Sequence, residues 1–154
     1  MKVNVFTSYF AAMAKRRKAF NDVYISVTRS ARPYCPLKDE SGIPVQSQID
    51  YSFPDLANYG PLDDWERDLP EGAVEDLVDF LRPENWEFGE EDPETDEVNV
   101  FILCVENLKA RYTKKDEEKF YGVRAGEPKR CHRTMFAGIL RERYGINAVE
   151  YEAL

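Results

Sequence analysis

The chain has 154 residues, with 29 acidic against 21 basic side chains, a formal net charge of −8 at pH 7 and a pI near 4.8. That length serves one ordinary domain, and 43% hydrophobic with 13% aromatic residues excludes a disordered acidic chain. Net acidity also excludes a protein that coats nucleic acid or anionic membrane by bulk charge alone, while leaving room for a local basic surface.

Taken in order, residues 2 to 6, Lys-Val-Asn-Val-Phe, alternate as a strand does, and Thr7 or Ser8 is placed to cap a helical run from Tyr9 to Ala19. Lys15 to Lys18 then fall where that helix should end and its dipole favours cations. Val23 to Thr28 is a β-branched run that reads as a second strand. Five prolines between Pro33 and Pro61 break the next stretch into a long loop with short pieces. Leu62 to Asp68 reads as one or two helical turns. Pro70 opens a helix with an apolar stripe of Val74, Leu77, Val78 and Leu81, stopped by Pro83.

Glu84 to Glu97 reads as an acidic surface connection, and Val98 to Val105 as the strongest strand, apolar enough to be covered on both faces. A short helix is expected near Asp116 to Phe120 within a charged stretch. Arg130 to Tyr144 is a helix with Phe136, Ile139, Leu140 and Tyr144 facing in and Gly145 ending it, and Ile146 to Tyr151 reads as a last strand. Strands alternating with helices predict a single three-layer α/β domain over residues 1–154, with a mostly parallel sheet and helices on both faces. The acidic segment 63–97 and the charged linker 107–130 are then insertions in it.

Charge is unevenly placed. Residues 63–97 hold sixteen acids against two bases, a balance of −14, so the rest of the chain carries +6. The opening residues lack the apolar stretch of a signal peptide, and the longest apolar run, Val100 to Val105, is far short of the roughly 20 residues of a membrane span. The three cysteines, Cys35, Cys104 and Cys131, are an odd set in a chain long enough to fold without staples. The expectation is a cytoplasmic protein with reduced thiols and no membrane partner.

In parallel sheets ligands bind beyond the carboxyl ends of the strands, which nominates a site. The residues there are Thr7, Ser8 and Tyr9, then Thr28, Arg29 and Ser30, then Cys104 and Glu106, with Cys131, His132 and Arg133 at the start of the helix before the last strand. Free N–H groups, the positive end of the dipole, an imidazole and a guanidinium suit an anionic ligand, and the same field favours a thiolate at Cys131. Against this stands the plainer alternative that Cys131 and Cys104 are small core residues, His132 a cap and Arg133 an ion-pair partner. Glu106, a carboxylate after a buried strand, calls for a partner such as Arg133 or Arg29. Adjacent Cys131 and His132 fit one tetrahedral zinc poorly, and the absence of Gly-x-Ser-x-Gly removes the context of a serine hydrolase. Cys104 and Cys131 would oxidise together only if their sulfurs meet.

Val-Phe-Thr-Ser-Tyr-Phe (5–10), Ile-Ser-Val-Thr-Arg-Ser (25–30), Phe-Ile-Leu-Cys-Val-Glu (101–106) and Cys-His-Arg-Thr-Met-Phe-Ala-Gly-Ile-Leu (131–140) resemble the domain-of-unknown-function family 488. Its members carry a Leu-Cys-x-Glu strand end followed by a Cys-His-Arg helix start. The resemblance implies a compact α/β domain with a site at Thr7, Ser8, Arg29, Cys104, Glu106, Cys131, His132 and Arg133, and no particular reaction. The chain departs from that family in the 24-residue link between Glu106 and Cys131 and in its acidic middle.

Three readings follow as expectations. One is a pocket for an anionic small molecule, a nucleotide, nucleobase-derived or phosphorylated compound. There Arg133, Arg29, Thr7, Ser8 and Ser30 bind, and Cys131, His132, Cys104 and Glu106 carry hydrolase or transferase chemistry without a metal or other cofactor. Another is a non-catalytic module that contacts nucleic acid or protein through its basic remainder. A structural role, in which Cys-His-Arg merely ties a helix to the sheet, is the third.

Overall fold

The computed structural model describes residues 2–28, 37–57, 64–86, 96–105, 111–119, 123–129 and 131–151. Its strands are β1 (Lys2–Tyr9), β2 (Asp22–Ser26), β3 (Tyr51–Ser52), β4 (Glu97–Cys104) and β5 (Val149–Glu150), and its helices α1 (Phe10–Met13), α2 (Ala73–Phe80), α3 (Lys114–Lys119) and α4 (His132–Tyr144). All pairings in the sheet are parallel, in the order β3-β2-β4-β1-β5. The apolar run read as a central strand is therefore central, with β2 and β1 on its two sides.

Alternation along the strands sorts the core. Val23, Ile25, Val98, Val100, Ile102 and Cys104 share one cluster with Leu77 and Leu81 from the α2 region and Phe136, Ile139 and Leu140 of α4. The alternate residues Tyr24, Phe101 and Leu103 join a second cluster with Phe10 and Met13 of α1, Val45 and Ile49. Each large apolar side chain taken out of water in this way contributes about 1.5–3 kcal/mol. Gly145 ends α4 with φ +67°, a left-handed turn that few residues other than glycine accept.

Three local expectations are corrected. The first helix is one turn and not eleven residues: Thr7 and Ser8 stay in the ladder, opposite Ile102 and Leu103 of β4, Tyr9 takes the extended N-cap position without a side-chain bond, and the helix ends at Met13. Cross-strand pairing outweighs the capping tendency of Thr and Ser here. Lys15 to Lys18 consequently do not close a helix. Arg16 pairs with Asp22 and stacks on Phe101, 4.5 Å from its ring centre, and Lys18 pairs with Asp50 at 2.7 Å. Tyr144, expected inside, is at the surface with its hydroxyl donating to Glu75.

The connections place the site. From β1 the chain passes through α1 to β2 on one side of the β4–β1 pair, and from β4 it passes through α4 to β5 on the other. Neighbouring strands whose connections leave in opposite directions open a crevice at their carboxyl ends. The last register pair of β1 and β4 is Tyr9 with Cys104. Among the described residues no helix is long and apolar enough to cross a membrane.

Candidate functional site at the carboxyl edge of the sheet

Cys131 is the N-cap of α4, with extended backbone at φ −141° and ψ 146°, so the next two side chains start on the helix and turn back over the strand ends. Arg133 enters the sheet edge fully buried. Its Nε and Nη2 donate to both carboxylate oxygens of Glu150, the closest at 2.7 Å, and its Nη1 donates to Cys104 Sγ at 2.7 Å. Thr7 Oγ1 donates to the same carboxylate at 2.6 Å. The guanidinium plane also lies 5.7 Å from the centre of the Tyr9 ring. Such a forked pair fixes both orientation and charge.

His132 is held differently. Its Nε2 lies 3.0 Å from the carbonyl of Val27, just past β2, and because a carbonyl only accepts, Nε2 carries the proton. Nδ1 is then a bare acceptor, 3.5 Å from Cys131 Sγ. Burial pushes the imidazole below its ordinary pKa and the nearby Arg133 charge adds to that, against the opposing Val27 bond, so the ring is neutral near pH 7. The Trp65 ring packs beside it, centres 5.8 Å apart.

Cys104 and Cys131 complete the cluster. Their sulfurs meet, although they arrive from β4 and α4 and are 27 positions apart in the chain, and their Cα atoms are 7.6 Å apart. Ser8 belongs to the other face, where its hydroxyl donates to the carbonyl of Tyr151. Thr7, Cys104, Cys131, His132 and Arg133 are thus brought together, with Ser8 beside them but turned away. Arg29, Ser30 and Glu106 lie outside the described residues. Among the described residues no three His, Cys, Asp or Glu side chains converge as a metal would require.

No family model, curated protein or solved structure matches this chain.

Two participants escaped the sequence reading. Glu150 follows the same rule that nominated the other strand ends, and applying it to the last strand would have found this carboxylate. Trp65 carries no such signal, because it sits in the acidic segment and meets His132 only through the fold.

Proposed function

We propose that the edge around Cys131 is a thiol-dependent site acting on a small anionic compound of the nucleotide, nucleobase-derived or phosphorylated class. The observation that carries this reading is the fixed tautomer of His132, whose unprotonated Nδ1 faces the Cys131 sulfur. Here Cys131 gives its proton to Nδ1 as the sulfur bonds to an electrophilic carbon or phosphorus, and the leaving group departs with that proton. Water or an acceptor then breaks the new sulfur bond, which gives hydrolysis or transfer. The start of α4 favours the anion and the thiolate alike. Arg133 acts from inside, where it orders Cys104 and Glu150. Cys131 and His132 are only 4% and 7% exposed, so the reacting group has to be small or carried on a slender extension.

Iodoacetamide tests this on reduced protein, with the modified cysteine located by mass spectrometry. Cys131 should alkylate with a pH midpoint below the free-thiol value of about 8.5, roughly tenfold or more slower in His132→Leu, and slower again in the presence of a saturating ligand of the stated class. A midpoint at or above that value together with an unchanged rate in His132→Leu removes the nucleophile.

A nucleic-acid surface is the second reading, favoured by α3. Thr113 and Asp116 cap each other's backbone N–H groups at its start, and Lys114 and Lys115 stand exposed on a helix that buries no side chain. Binding to duplex DNA by this surface should weaken with salt. Lys114→Gln with Lys115→Gln should lower the slope of log affinity against log salt by about 0.9 for each phosphate that is no longer neutralised. No binding at low salt removes the reading.

A further inference from the structure

We propose that Cys131 and Cys104 form a reversible thiol–disulfide couple, oxidised by hydroperoxides, that closes and reopens the site. This rests on the nucleophile reading of Cys131 and adds a regulation and a second substrate class to it.

Contact between the sulfurs makes the couple feasible, and their unequal surroundings give it a direction. Cys131 Sγ faces the bare Nδ1 of His132 and is the less deeply buried of the two, at 4% exposed against 1%. It has the base and the nearer approach to solvent that a first attack requires. Cys104 Sγ lies behind it, accepting a charge-assisted bond from Arg133, and a cation at that distance stabilises its thiolate. Glu150 and Thr7 keep the guanidinium pointed at that sulfur. One sulfur thus has a proton acceptor and the other a counter-ion, the division of labour that attacking and resolving thiols need.

In the first step Cys131 passes its proton to His132 Nδ1 and attacks the distal oxygen of a hydroperoxide. The S–O bond forms, the O–O bond breaks, and the departing alkoxide or hydroxide takes the proton from His132 as an alcohol or water. Cys131 is then a sulfenic acid. In the second step Cys104 gives up its proton and attacks the Cys131 sulfur as a thiolate, the S–S bond forms, the S–O bond breaks, and the departing hydroxide takes up that proton as water. Two thiols and one hydroperoxide have become a disulfide, an alcohol and water. A dithiol reverses the change by exchange, itself becoming the disulfide. While the bond stands, Cys131 has no thiol with which to attack any other substrate.

The size restriction at this edge agrees with the oxidant. A hydroperoxide presents its reacting oxygen at the end of the molecule, and hydrogen peroxide is little larger than water.

The test uses Cys35→Ser protein, so that only the two thiols in question are counted. Reduced protein is treated with equimolar hydrogen peroxide, blocked with N-ethylmaleimide and mapped by peptide mass spectrometry. Both thiols should disappear together into one intramolecular Cys104–Cys131 peptide, Cys131 alkylation should fall by about tenfold or more, and dithiothreitol should restore both. With Cys104→Ser added, Cys131 should still alkylate when reduced but should end as a sulfenic acid trapped by dimedone. Normal alkylation of Cys131 without the linked peptide, or with intermolecular disulfides only, overturns the couple and leaves the thiol-dependent site standing. A Cys131 inert to iodoacetamide and peroxide alike overturns both.

Discussion

Glu150→Ala is expected to lower the unfolding free energy by about 3–5 kcal/mol, the usual effect of removing one member of a buried ion pair. The size follows from burial. The Arg133 side chain is fully buried and that of Glu150 is 30% exposed, so losing the carboxylate removes the forked anionic partner of a guanidinium shielded from water. Thr7 Oγ1 loses its acceptor in the same variant. Arg133→Met should be clearly milder, because it fills most of the vacated space with apolar atoms and leaves a carboxylate that water reaches. For a chain of this length the loss in Glu150→Ala corresponds to a melting point lower by roughly 6–20 °C. Urea unfolding of the two variants checks both size and order. A loss below about 1 kcal/mol in Glu150→Ala, or a larger loss in Arg133→Met, would show that the pair does not organise this edge.

The second large effect is expected at Trp65. Its ring is 3% exposed and packs against His132 and Phe136, and its Nε1 donates to the carbonyl of Leu56 at 2.9 Å. Trp65→Ala should cost about 3–5 kcal/mol through the cavity and the lost bond, whereas Trp65→Phe keeps the packing and should cost much less. Removal of the ring also lets water reach the chain's single histidine. In the wild type, burial holds His132 below its ordinary pKa, so the unfolded chain takes up the proton more readily than the folded one. Stability from the neutral ring is therefore complete above pH of about 6.5 and is lost as pH falls through the folded midpoint. In Trp65→Ala that midpoint should rise toward 6.5, and the acid-side loss should shrink. The imidazole Cε1–H shift followed against pH reads this directly, and a wild-type midpoint at or above 6.5 would contradict it.

Much of the fold was legible because it depends on local pattern. The β-branched runs gave β2 and β4, the 3.6-residue stripe gave α2 and α4, and the glycine after Tyr144 gave the end of α4 at a left-handed turn. The start of the first helix was misplaced because Thr7 and Ser8 have two local uses, capping and strand pairing, and only the presence of β4 decides between them, while past its end at Met13 Arg16 and Lys18 pair with Asp22 and Asp50, which the local pattern does not show. The carboxyl-edge rule assembled Thr7, Cys104, Cys131, His132 and Arg133 from separate stretches of the chain. It did not supply their partners, because Glu150 is seventeen positions from Arg133 and the Val27 carbonyl is 105 positions from His132. Trp65 shows how one part of the acidic segment relates to the site: residues 64–69 fold against the edge, with an apolar ring inward and Glu66 paired outward with Arg143.

The sequence by itself determined the parallel α/β plan and which thiols, imidazole and guanidinium would gather at one edge, since hydrophobic period and the position of a residue at a strand or helix end are local properties, whereas the strand order that sets β1 beside β4 came from tertiary pairing. Tertiary structure alone decided that the Arg133 charge is turned inward onto Glu150 and Cys104, that His132 presents Nδ1 to sulfur, and that the two cysteines touch. The reason is physical. A side chain's protonation and availability depend on what surrounds it in space, and here those surroundings come from residues far away along the chain.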